Sequence, residues 1–445
     1  MKISIFARVA LLALLASITA CSFDKVSGVT PKLDPPLEKA TVDPPAQKPA
    51  PTAVTSMPLE PVTTVNKPHT EADDAESKKA EVTQSAIAAS KPDASIAVQR
   101  SERAQSLPSS PDLVYRDVVL SEDVVWRGEV HITGWLTVSP QVTVTVEPGT
   151  VIRFIPVNED DASGAGLLVQ GRIVAVGSRE RQILFTGSYS QPVGGDWQGI
   201  VLLATDKKNL LEQCRVEGAY VALDGLHSQV TLRDFTASSC GTAIRLRDSY
   251  ANVAGGAVSS CGVGVKSIDS ELELRDINLS SNRQGGIISG GSLYLSGSTF
   301  YGNSQVALVA DNCRVRVTGC SFTVNGTGIE MAGSEGAVSS NRILSNRDAG
   351  IVLKNSRIRV SANNVSQNSS VGLRITGAGS VVWGNAIASN NSHDLDYSGD
   401  ADLSAMGNWW GEVTKERILT RIRTGDSSGR VLLMPVLLQR PQSIL

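Results

Sequence analysis

Three groups of residues in this 445-residue chain have types and spacings that can do chemistry. His393-Asp394-Leu395-Asp396 joins one imidazole to two carboxylates, a set able to ligate a metal or act as a base. Arg314 and Arg316, then Arg357 and Arg359, flank apolar residues in the stretches Arg314-Val315-Arg316-Val317 and Arg357-Ile358-Arg359-Val360. Four guanidinium groups so placed suit bidentate capture of carboxylate or phosphate. Cys21 closes the run Ile18-Thr19-Ala20-Cys21 behind Lys2, Arg8 and the short apolar stretch Val9 to Ile18. Such a run reads as a bacterial lipobox, with Cys21 acylated after cleavage; the stretch is too short for a membrane span.

Other candidates are thinner. Asp160-Asp161 reads as a solvated loop, and His131 and His227 have no acidic or cysteine neighbours at ligand spacing. The five cysteines after Cys21 (Cys214, Cys240, Cys261, Cys313 and Cys320) contain no CxxC. No metal site, cofactor or catalytic set is therefore expected. Cys240 and Cys261 are 21 residues apart and are read as a stacked pair of reduced thiols. A net charge of −3 argues against a nucleic-acid partner.

What positions these residues is a repeat. Ile244, Val265, Ile287, Leu308, Ile329, Ile351, Leu373 and Leu395 recur every 21 or 22 residues, with Gly264, Gly286, Gly328, Gly350 and Gly372 before five of them. Two further apolar columns accompany this frame, one through Val258, Leu279, Phe300, Phe322, Ile343, Val365 and Ile387, the other through Leu272/Leu274, Leu293/Leu295, Val315/Val317 and Ile358/Val360. Three short strands per repeat make one coil of a solenoid, which folds only by stacking on its neighbours. Asn282, Asn303, Asn346, Asn368 and Asn390 stand five before the frame, where stacked amides can bond from coil to coil and tolerate a left-handed corner. No proline lies between Val193 and Met434, as a continuous hydrogen-bonded ladder requires.

The opening order Glu147-Pro148-Gly149-Thr150-Val151-Ile152-Arg153-Phe154, Gly166 to Gly171 and Gly195-Asp196-Trp197-Gln198-Gly199 resembles the first coils of bacterial right-handed β-helix proteins of the pectate-lyase-like superfamily. Gly407-Asn408-Trp409-Trp410-Gly411 with Ile418, Ile422 and Pro435 resembles their closing segment, except that Arg423-Thr424 stands where an Asp often follows the second Ile. The resemblance implies an all-β right-handed parallel β-helix with 21–22-residue coils, and it admits polysaccharide lyases or hydrolases as one alternative. The paired carboxylates of a hydrolase are not evident. Trp126 and Trp135 serve as coil caps in preference to a sugar-stacking platform.

The expected organisation is a lipoprotein signal peptide over 1–21, a disordered tether over 22–112, the β-helix over 113–411 and a cap segment over 412–445. The tether holds 13 of the 19 prolines and one glycine, so it cannot bury a core. Ser22 after the acylated cysteine implies the outer membrane. The expected function is a non-catalytic scaffold or binding module of the cell envelope. Its partners are the bilayer through Cys21 and an acidic polysaccharide or another envelope protein at the four arginines. Cys21→Ala should move the protein from the membrane fraction to the soluble fraction; continued membrane recovery of the variant would refute the lipobox.

Overall fold

The computed structural model describes residues 110–157, 164–426 and 428–442. Cys21, the signal peptide, the tether through residue 109 and Asp160-Asp161 lie outside the described residues. All the described residues belong to one compact unit, Glu71–Leu445.

Strands recur three to a coil through about 13 coils, and every strand pair is parallel. Three parallel sheets result. Sheet A carries the frame residues, including Thr242–Arg247, Val263–Ile268 and Thr327–Ala332. Sheet B includes Glu271–Arg275, Ser292–Ser296, Arg314–Thr318, Glu335–Ser339 and Arg357–Ser361. Sheet C includes Thr299–Tyr301 and Ser321–Thr323. In each strand alternate residues point inward, so a narrow core fills with Val, Ile, Leu and stacked Phe300 and Phe322, whose rings lie 4.7 Å apart.

The frame holds at seven of its eight positions. Val265 pairs with Gly286 and Gly286 with Leu308, while Ile287 sits in the outward column between Lys266 and Val309. The inward aliphatic of that coil is Ile288, fully buried, whereas Ile287 is only half-buried. Gly286 takes the frame place because Leu308 of the next coil fills the space: a Cβ there would lie 3.3 Å from its Cδ1. The branched aliphatic at 287 mimics the spacing and conceals the one-residue offset.

The asparagines do more than expected, and in a different way. Their own backbone is not left-handed. The residue before each one is: Ser281, Gly302, Ser345, Gln367 and Ser389 all have φ between 55° and 66°. Asn325, which the five-residue spacing passes over, belongs to the same ladder. Each backbone N–H donates to the side-chain oxygen one coil on, from Asn282 to Asn303 (3.1 Å), Asn325 (3.0 Å), Asn346 (3.0 Å), Asn368 (3.1 Å) and Asn390 (3.1 Å). At the upper end Cys261 N–H donates to Asn282 (2.9 Å), and Cys240 N–H to the Cys261 sulfur (3.4 Å).

A second ladder, Cys320–Asn341–Asn363–Asn385–Asn408, lines another corner, and serines line the third, through Ser228–Ser249–Ser270 and Cys313–Ser334–Ser356. Cys240, Cys261, Cys313 and Cys320 are thus ladder members, whereas the Cys214 thiol turns to the Glu212 carbonyl. All five are buried and free. Burial pushes the thiols of Cys214 to about 12 and Cys320 to about 11, so both stay protonated and unreactive.

Ile329 is fully buried between Leu308 and Ile351. Ile329→Asp buries an unpaired charge and strips its neighbours of packing. The melting temperature should fall by many degrees; an unchanged curve would displace Ile329 from the core.

Candidate functional site

The four arginines occupy sheet B as their alternation predicts. Val315, Val317, Ile358 and Val360 are buried, and Arg314, Arg316, Arg357 and Arg359 point outward and are exposed. Between the two arginine-bearing strands runs Glu335–Ser339, in register: Arg314 pairs with Glu335 and Glu335 with Arg357, while Ala337 separates Arg316 from Arg359. The guanidinium-bearing positions therefore form a rectangle, roughly 10 Å along the solenoid by roughly 7 Å along the strand.

Glu335 and the small residues beside it are what the sequence reading omitted. Their signal is the repeat itself, since 335 lies 21 residues after 314 and 22 before 357. Gly336 occupies an inward position in register with Val315 and Ile358, yet it is exposed and has φ +135°. A Cβ there would meet the Val315 carbonyl oxygen at 1.9 Å, so only glycine fits. Gly336 and Ala337 form a low floor between arginine walls. Three depressions adjoin here, all lined by Arg357. One of about 680 Å³ is bounded by Arg314, Glu335 and Arg357; one of about 450 Å³ reaches Arg316; one of about 350 Å³ reaches Arg359.

Other arginines of sheet B are committed to partners: Arg233 donates to Glu212 (3.2 Å) and Arg275 to Glu273 (3.0 Å). Among the described residues, none of the four guanidinium groups at the rectangle has an ion-pair or hydrogen-bond partner. The arrangement presents four unspent bidentate donors over a shallow groove.

The His393 cluster is built differently. Asp394 is buried at the end of the asparagine ladder, accepting from Asn390 N–H (3.1 Å) and from Arg421 Nε (3.1 Å). Asp396 accepts from Arg423 Nε (2.9 Å) and Arg374 Nε (3.3 Å). Arg423, where the resemblance leads one to look for Asp, thus ties the closing strand Ile422–Thr424 to the last frame strand, His393–Ser398. Among the described residues, the His393 ring meets only the Ser392 hydroxyl (2.7 Å). Both carboxylates serve to hold the cap.

Five of the six tryptophans pack into the fold, and Trp383 is exposed. Trp126 is fully buried beside Tyr115, and Trp197 stacks on Phe154 at 4.0 Å while donating to the Glu217 carbonyl. Trp135 packs against Leu168, Leu203 and Leu226. Trp410 is buried, and Arg440 lies over the Trp409 ring.

Residues 227–393 match the family model described as right handed beta helix region. Among solved structures, the chain is similar to the periplasmic alginate epimerase AlgG, at 12% identity over 70% of this chain and 78% of that one with a TM-score of 0.33. A mutant of that enzyme aligns at 11% identity over 74% and 79%, with a TM-score of 0.40. The A-module of the Azotobacter vinelandii mannuronan C-5 epimerase AlgE4 aligns at 12% identity over 71% and 90%, with a TM-score of 0.27. No curated protein matches the sequence.

The cap has a pH signature. Burial opposes ionisation of Asp396, but the bonds from Arg423 and Arg374 outweigh it and hold the carboxyl below the usual carboxylate range. A depressed folded-state pKa contributes stability above the unfolded value, about 3.9, which is lost as pH falls through the folded one. Asp396→Asn should therefore lower the melting temperature by a few degrees at pH 7, for roughly 1–2 kcal/mol of partly screened charged hydrogen bonds. The gap to wild type should close below about pH 4. A gap independent of pH would separate Asp396 from the ion pairs.

Proposed function

We propose that this right-handed β-helix chain is a lipid-anchored cell-envelope protein that binds an acidic polymer across sheet B without transforming it. One observation carries the reading: Arg314, Arg316, Arg357 and Arg359 surround the Gly336–Ala337 floor with no partner among the described residues. Two guanidinium pairs set two coils apart fit carboxylates or phosphates that repeat along a chain, so an acidic polysaccharide lying along the axis is the favoured ligand. Each exposed contact contributes roughly 0.2–1 kcal/mol, so affinity requires several at once. Binding should weaken steeply with salt, because a Debye length of about 8 Å at physiological strength screens exposed charges. Acylation at Cys21 would keep the module at the membrane. The engagement of Asp394 and Asp396 by cap arginines supports a binding role over a lyase or hydrolase.

Arg314→Ser with Arg357→Ser should abolish retention on an acidic-polysaccharide column at low salt and leave the melting temperature within about a degree, since neither guanidinium has a partner to lose. Equal retention of variant and wild type would refute the site. Shortening of the polysaccharide by wild type would make the protein an enzyme instead.

A further inference from the structure

Two of the three outward columns of sheet B carry opposite charge on either side of one coil; the third bears Arg233 and Arg275, which are engaged by Glu212 and Glu273. The first outward column reads, coil by coil, Gln229, Tyr250, Glu271, Ser292, Arg314, Glu335, Arg357. The second reads Thr231, Asn252, Glu273, Tyr294, Arg316, Ala337, Arg359. The coil of Ser292 and Tyr294 divides them, with Glu271 and Glu273 one coil before it and Arg314 and Arg316 one coil after. The adjoining corner repeats the division. A cleft of about 550 Å³ lined by Asp206, Asp248, Asp269 and Glu271 precedes this coil. The cleft of about 680 Å³ lined by Arg314 and Arg357, with Asn312 and Asn355, follows it.

We infer that sheet B is an isologous interface, on which a second copy of this chain docks with its solenoid axis antiparallel. The two-fold axis would run along the Ser292–Ser296 strand, midway between the two sheets. That operation keeps each outward column over itself and exchanges the coils on either side of Ser292. Arg314 then faces Glu271 of the other copy, and Arg316 faces Glu273. Asn312 faces Asp269, Glu335 faces the Tyr250 hydroxyl, and Arg357 faces Gln229. Tyr294 meets its own symmetry mate at the centre, where an exposed aromatic makes an effective anchor. No like charges oppose one another in these columns. A parallel pairing would instead set arginine over arginine on the same coils, so the charges select the antiparallel one.

Glu271 has no ion-pair partner among the described residues, and neither does Arg314, so their pairing across the axis gives up no existing bond. Seven coils at about 4.8 Å, times a strand of about 17 Å, cover on the order of 500 Å² per copy. The total of roughly 1,000 Å² lies at the lower limit for a specific interface, so the dimer should be weak and reversible. Regulation follows, and this part rests on the proposed function. The second copy covers Arg314 and Arg316, so acidic polymer and dimer compete for the same guanidinium groups.

Sedimentation of the full chain, kept in detergent micelles, tests the interface. The protein's mass should rise towards twice the monomer with concentration and fall back with added salt. Glu271→Arg or Arg314→Glu alone should weaken association at least tenfold, and the double variant should recover it, because the swapped charges meet again across the axis. Tyr294→Cys should give a disulfide-linked dimer on mild oxidation, while Thr299→Cys, exposed on sheet C, should not. A monomer at every concentration, or a double variant no better than either single one, would overturn the inference. Polymer retention is read separately, at protein concentrations below association. Loss of retention there with intact dimerisation would overturn the binding role alone; retention without dimerisation would overturn only the interface.

Discussion

The corners govern this fold. Within each sheet the backbone pairs with the coils above and below, but at every turn the chain points N–H groups inward that the sheets do not reach. An unpaired buried N–H costs about as much as a lost hydrogen bond, and a solenoid would meet that cost three times per coil. The ladders answer it. Each asparagine accepts the N–H of the coil before it, and its amide donates to a carbonyl of an earlier strand, as Asn303 does to Leu279 (3.0 Å) and Asn346 to Phe322 (3.1 Å). Serine and cysteine perform the acceptor part of the same task at other corners, which explains polar residues inside an otherwise aliphatic core.

A ladder of this kind must end, and the last coil shows how. Asn390 has no further asparagine to address, and the oxygen it needs comes from Asp394. A carboxylate placed there brings a buried charge, and Arg421 neutralises it from the closing segment. Two residues on, Asp396 takes Arg423 in the same way. The strand Ile422–Thr424 thereby covers the exposed edge of sheet A, the region of a solenoid most prone to pair with another chain. The His-Asp-Leu-Asp sequence looks like chemistry because a cap uses the same residue types as a metal site.

The solenoid was legible because its inward positions are tightly constrained. Stacked coils place each core side chain on its own counterpart, so the 21–22-residue period survives in residue type, as at Ile244, Leu308, Ile329 and Ile351. Legibility failed where the coil length changes locally. The ladder residue stands four before the frame at Asn325 and Asn282 but five before it at Asn303 and Asn346, and a fixed offset therefore missed Asn325 and shifted the frame to Ile287. The arginines were legible because alternation fixes which face they occupy. Their freedom from partners was not, because ion pairing depends on rotamers and on the neighbouring coil, and no spacing rule distinguishes Arg314 from the ion-paired Arg275.

Inward and outward positions thus carry different information. The core columns answer to stacking and read almost alike from coil to coil. The outward columns are released from that constraint, and on sheet B they pass from Glu271 and Glu273 through Tyr294 to Arg316 and Arg359 within a few coils. Stability does not require this gradient, since exposed charges contribute little and the four guanidinium groups have no partner among the described residues. A feature that folding leaves unconstrained is best explained by what the surface meets. Gly336 sharpens the point: it gives up an inward aliphatic in the middle of the core column and opens the floor between the arginine walls. The loss falls on packing and the gain falls on the outer surface, which places the selective reason outside the fold.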